Sequence, residues 1–232
     1  MLRKNKGRIL FMTMREEIIK QVEVHKVIAI IRGVEPEKSL KVAKALFEGG
    51  IRMIEVTFDQ KDTEKQKGTA ESIRRISECF QGKVSVGAGT VTSVKLVEMA
   101  AEAGAQYIIS PDTSEEVIKR TKELGLVSMP GALTPTEIMN AHRWGADFVK
   151  LFPIGTLGTD YIKAVKAPLN HIKLLAVGGV NENNITEFLD AGCCGAGIGG
   201  NLVNKKWIEN EEFEKITETA KKLTEIVKGW NN

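Results

Sequence analysis

The sequence predicts an α/β fold, a (β/α)₈ TIM barrel with an extra N-terminal helix, on three observations. Short runs rich in β-branched residues alternate with longer amphipathic runs along the whole chain, which is the pattern of a parallel sheet wrapped by helices. Glycines recur where an amphipathic run gives way to the next strand, at Gly49–Gly50, Gly104, Gly125, Gly145 and Gly192. Such glycines supply the left-handed residue that ends a helix. The first strand is followed by RGVEPEKS, while glycine-rich strand ends come at the third, seventh and eighth strands. A doubly wound open sheet would normally carry a phosphate loop after its first strand, so this distribution favours the barrel.

The strand candidates are 27–33, 52–58, 83–90, 106–111, 127–133, 147–153, 173–180 and 195–200. Residues 15–25 are expected to form the extra helix, covering the bottom of the barrel, and 209–229 the last outer helix. The chain has 232 residues, 42% hydrophobic and 27% charged, enough for one large core. Two small domains would fit the same length, but no Pro/Ser/Gly-rich linker or charge run divides the chain. The expected organisation is a flexible arm over 1–13 and a single barrel domain over 14–232.

Composition narrows the class of function. The net charge of +3 is too weak to argue for nucleic acid or a membrane surface as partner. Three cysteines, Cys79, Cys193 and Cys194, make no bridge framework or zinc spacing, so a reduced, cytoplasmic protein is expected. The basic N-terminus is followed by an apolar run over 9–12, shorter than the roughly 7–15 residues of a signal h-region. No stretch reaches the roughly 20 apolar residues of a membrane span.

In a barrel, functional groups project from the C-terminal ends of the strands. Four polar residues within the apolar strands stand out: Arg32, Glu55, Thr90 and Lys150. Lys150 sits in FVKLFP, where burial would depress its pKa and free a nucleophilic amine; a structural pairing with an inward acid is the competing explanation. With period two, Met53, Glu55 and Thr57 face the barrel interior while Ile54 and Val56 face the helices. A buried carboxylate must be paired or protonated, so Glu55 serves either proton transfer or a plain ion pair with Lys150. Arg32 can fork onto a carboxylate or phosphate, or stand as an exposed strand-end arginine. Thr90 closes GAGT, whose small residues admit a ligand to the backbone. Lys173, at the start of its strand, reads as structural. Gly178-Gly179 and Gly199-Gly200-Asn201 end strands seven and eight, the two strand ends where barrels frequently bind phosphate. His25, His142 and His171 fall where none can act as catalytic base, and no metal cluster can be assembled from them. Phe58, Trp144 and Trp207 read as packing.

The segments GGIRMIEVTF, VGAGTVTS, AGAQYIISPD, MPGALTPTEI, VKLFP and GGV together resemble the bacterial 2-keto-3-deoxy-6-phosphogluconate aldolase family, whose members often also cleave 4-hydroxy-2-oxoglutarate. The likeness covers residues 27–204. It implies a class I aldolase with no metal or organic cofactor, acting on a small 2-oxo acid, phosphorylated in the first case, and assembling as a homotrimer. It implies Lys150 as the Schiff-base lysine and Glu55 as general acid/base. Thr90 and Arg32 would hold the substrate carboxylate, Pro111 and Phe152 would wall the pyruvoyl group, and Gly178, Gly179, Gly199, Gly200 and Asn201 would line the phosphate end. Three departures stand out: Asp59 where some members carry an arginine, Ala176-Val177 where Pro-Thr is usual, and Asn201 for a frequent serine. Two rival readings are a phosphate-binding barrel isomerase or synthase without a Schiff base, and a catalytically retired regulatory barrel.

Overall fold

The computed structural model describes residues 2–5 and 8–230. Part of the arm expected over 1–13 lies outside the described residues. Within it, Leu2–Asn5 pairs antiparallel with Arg8–Phe11. The first helix, Met14–His25, begins at a reciprocal cap: the Thr13 hydroxyl accepts from the Glu16 N–H, and the Glu16 carboxylate accepts from the Thr13 N–H at 2.9 Å. Such a cap satisfies donors a helix start otherwise leaves open.

The barrel strands are Val27–Arg32, Met53–Thr57, Ser85–Gly89, Tyr107–Ile109, Val127–Met129 with Gly131–Ala132, Val149–Leu151, Leu174–Val177 and Gly195–Ile198. All pair in parallel with their neighbours. Each of the eight expected strands is present and is shorter than its apolar run. The fifth is broken at Pro130, and this break closes the sheet. Val127–Met129 pairs with the fourth strand and Gly131–Ala132 with the sixth, so the two ends of the sheet are halves of one segment. Proline has no N–H to donate, but the Pro130 carbonyl still accepts from the Lys150 N–H at 2.9 Å.

Alternation along the strands sorts the core into two layers. Ile54 and Val56 join the large layer between sheet and helices. Met53 belongs to a smaller inner cluster with Ile28, Tyr107, Met129, Phe148 and Leu175. Ile18 and Val22 of the first helix complete that cluster, so the helix plugs the bottom of the barrel as expected. Burying each such side chain contributes about 1.5–3 kcal/mol. Tyr107 fills the interior through a space that only glycine leaves. A Cβ on Gly87 would overlap its ring, and its hydroxyl donates to the Ile54 carbonyl at 2.7 Å.

The bottom is also tied by charge. Asp147 accepts from Arg15 of the first helix, from Lys122 at 2.8 and 3.0 Å, and from the Ser128 N–H at 3.0 Å. Lys173 pairs with Glu23 at 2.6 Å and lies over the Phe148 ring, the structural place its sequence position implies. The last outer helix is Phe213–Trp230, preceded by a short one at Lys205–Glu209. No helix among the described residues is long and apolar enough to cross a membrane.

Candidate active site

The sixth strand carries Lys150 inward because its neighbours Val149 and Leu151 are committed to the outer apolar layer. The lysine is 4% exposed, and its amine stands 4.8 Å from the centre of the Phe152 ring. Glu55, inward on the second strand, is 1% exposed. Its carboxylate occupies the space above Gly89, where any Cβ would collide with it. The third strand ends in glycine because the acid needs that space.

Both groups are pushed toward neutrality. Burial lowers the Lys150 pKa, with Arg32 adding to the effect and the negative charges of Glu55 and Asp112 opposing it. Burial raises the Glu55 pKa against the opposing charges of Lys150 and Arg32. The sequence left open a plain Glu55–Lys150 ion pair. Among the described residues Lys150 and Glu55 make no ion pair. They share one electrostatic environment without satisfying each other, which is the condition under which desolvation perturbs pKa values most.

Arg32 ends the first strand with its side chain exposed and donates from Nη1 to the Thr90 hydroxyl at 3.3 Å. Thr90 has φ +56°, a left-handed conformation that costs a β-branched residue on the order of 1–3 kcal/mol. Phe152 is 39% exposed beside the mouth and precedes a cis bond to Pro153. The Pro111 carbonyl lies against Gly131, which has no room for a side chain.

The loops after strands six, seven and eight interlock through backbone. Gly178 and Gly179 both have positive φ, and Gly155 packs so closely on them that a Cβ there would meet the Gly178 carbonyl. Asn184 donates to the Gly179 carbonyl at 3.0 Å and Asn201 to the Val180 carbonyl at 3.0 Å. Asn201 therefore braces loop seven against loop eight. Gly199 accepts from the Leu202 and Val203 N–H groups, forming a single turn, and Gly200 is open to solvent. A cavity of about 550 Å³ opens at Arg32, lined also by Thr57, Asp59, Glu64 and Lys65 among others.

Arg32, Glu55, Thr90, Lys150 and Phe152 thus converge at one end of the barrel, and the glycines of strands seven and eight border it. The histidines lie elsewhere: His142 and His171 stack edge to face at 5.0 Å, and His25 ends the bottom helix. Sequence reasoning missed Asp112, Gly155 and Gln60. Gly155 follows VKLFP closely enough to be suspected, but the other two announce themselves only through contacts between loops.

A barrel whose buried lysine has no ion-pair partner among the described residues, beside a buried acid, has the parts that Schiff-base enzymes use. Comparison with known proteins makes this specific. The family described as "Aldolase: KDPG and KHG aldolase" matches residues 17–219, and the chain belongs to that family of carbon–carbon lyases. It is 34% identical over 204 residues to the 2-dehydro-3-deoxy-6-phosphogalactonate aldolase of Escherichia coli K12, covering 88% of this chain and 93% of that one. It is 32% identical over 212 residues to the 2-dehydro-3-deoxy-phosphogluconate aldolase of Treponema pallidum, covering 90% and 97%. The crystal structure of the KDPG aldolase of Legionella pneumophila, with pyruvate captured as a covalent carbinolamine, superposes with a TM-score of 0.79 at 27% identity, covering 88% of this chain and 97% of that one.

Proposed function

We propose that this aldolase cleaves a 2-keto-3-deoxy-6-phospho sugar acid to pyruvate and glyceraldehyde 3-phosphate through an imine on Lys150, and cleaves 4-hydroxy-2-oxoglutarate to pyruvate and glyoxylate by the same steps. The observation that carries this reading is the Lys150 amine, buried, depressed in pKa and without an ion-pair partner among the described residues, in the same interior as Glu55.

The neutral amine attacks the C2 ketone, and Glu55 supplies the proton with which the carbinolamine loses water. The cationic imine then accepts the electron pair of the C3–C4 bond as the C4 hydroxyl proton passes to Glu55, directly or through water. The aldehyde leaves, C3 of the enamine is protonated, and water releases pyruvate and restores Lys150. Arg32 and Thr90 hold the carboxylate, with Arg32 supplying the positive charge absent at Asp59. Phe152 and Pro111 wall the pyruvoyl group. The glycine ends of strands seven and eight (Gly178, Gly179, Gly199 and Gly200) receive the phosphate, with Asn201 bracing them. The working form is a cytoplasmic homotrimer serving sugar-acid catabolism of the Entner–Doudoroff type.

The test is incubation with pyruvate and sodium borohydride followed by intact mass and peptide mapping. A pyruvate-derived adduct on Lys150, missing in Lys150→Ala, is the expected result. No adduct, under conditions that label a known Schiff-base aldolase, would overturn the covalent mechanism and leave a non-covalent isomerase or synthase. Relative kcat/KM on the gluconate and galactonate epimers then assigns the C4 configuration.

A further inference from the structure

Thr90 is held in its uncommon conformation from both sides. The Gly89 carbonyl before it accepts the Phe58 N–H at 2.8 Å. The Thr90 carbonyl accepts the Gln60 amide at 2.7 Å, and the next N–H, of Val91, is bound to the Ile109 carbonyl at 3.2 Å. The Gln60 amide also reaches the Phe58 carbonyl at 3.4 Å, and its oxygen accepts the Thr92 hydroxyl. Gln60 thus spans the loops after strands two and three with donors and acceptor all engaged. Left-handed non-glycine residues persist only where their surroundings over-determine them, and Gln60 is the one side chain that grips the Thr90 backbone among the described hydrogen bonds. The outcome is a threonine hydroxyl turned toward Arg32.

We propose that Gln60 is a positioning residue for carboxylate recognition: by clamping the Thr90 carbonyl it aims the Thr90 hydroxyl at Arg32, so that both meet the substrate carboxylate together. Gln60 touches no substrate. The inference rests on the reading above that Arg32 and Thr90 bind the carboxylate. Because Gln60 is exposed at the rim, replacing it should leave the barrel intact.

Two ketones separate positioning from general damage. Imine formation on Lys150 is trapped with borohydride over a concentration series of pyruvate, and in parallel of acetone, which has the ketone but no carboxylate. Gln60→Ala should raise the half-saturating pyruvate concentration about tenfold, equivalent to ~1.4 kcal/mol. Gln60→Glu, which loses the donor and sets a charge against the Thr90 carbonyl, should raise it at least as far. Acetone trapping should stay within about twofold of the parent protein for both. An unchanged pyruvate dependence in both variants, or equal losses for the two ketones, overturns the proposal. Arg32→Ala tells the two readings apart. If it shifts pyruvate and the Gln60 variants do not, only this inference falls. If Arg32→Ala does nothing, the carboxylate reading falls and takes this inference with it.

Discussion

At the bottom of the barrel the Asp147 carboxylate, 2% exposed, collects Arg15, Lys122 and the Ser128 N–H. Toward the top, Lys150 and Glu55 are equally buried, and among the described residues neither has an ion-pair partner. The same fold therefore treats buried charge in two ways. Where the carboxylate is met from several sides, it ties the first helix, the helix Glu115–Glu123, the fifth strand and the segment entering the sixth to one another. Burial lowers the Lys122 pKa too, but there the Asp147 charge opposes the shift through direct hydrogen bonds. At Lys150 and Glu55 no such bond opposes it among the described residues, and burial moves the amine and the acid toward their neutral forms.

The largest effect that can break this comparison comes from Lys150→Met. If the lysine is the nucleophile, turnover falls at least about a thousandfold. Because the methionine removes a desolvated amine that has no ion-pair partner among the described residues, the variant should also be more stable, by about 1 kcal/mol, in urea unfolding at neutral pH. A variant that loses activity and stability together would mean that Lys150 is held by contacts as a structural residue.

The converse substitution is Asp147→Ala. It strands Lys122, which is half-buried, and the Ser128 N–H without their acceptor. The expected loss is about 3 kcal/mol of stability, with kcat per folded molecule unchanged. A drop in kcat without a drop in stability would mean that the bottom cluster tunes the site rather than the fold.

These two substitutions divide along the line that separates what was legible in the sequence from what was not. Lys150 and Glu55 could be read because period-two alternation sets the facing of a strand residue locally, and a charged residue inside an apolar strand is anomalous on its face. Lys173 could be read as structural for the same reason, from its place at the strand start. The Asp147 cluster could not: Arg15 and Asp147 are far apart in sequence and meet only after the barrel closes. The Pro130 break was legible but not read: a proline at the centre of the expected strand 127–133 removes a ladder donor, which argues for a break. Thr90 was picked for its hydroxyl, but a left-handed threonine runs against local propensity and becomes sensible only with Gln60 and Phe58 around it. The unpaired state of Lys150 and Glu55 was equally hidden, since facing the same interior does not fix the distance between two side chains.

The smallest effects, and the sharpest for this comparison, lie in the pH dependence. Lys150 has its pKa lowered by burial from the ordinary 10.5. Below the folded value both folded and unfolded chains carry the proton, and the fold bears the full cost of the buried cation. Between the folded value and 10.5 the unfolded chain binds more protons, so stability rises with pH. The advantage of Lys150→Met should therefore be greatest at low pH and vanish above about pH 10.5. Glu55 runs the other way, its pKa raised by burial from 4.5. Between 4.5 and the folded value the native chain binds more protons, so stability falls as pH rises. Glu55→Gln should gain nothing below about pH 4.5 and reach its full gain above the raised value. Urea unfolding of the three proteins at stepped pH measures both trends. Parallel curves would mean that the two groups titrate as they do in water.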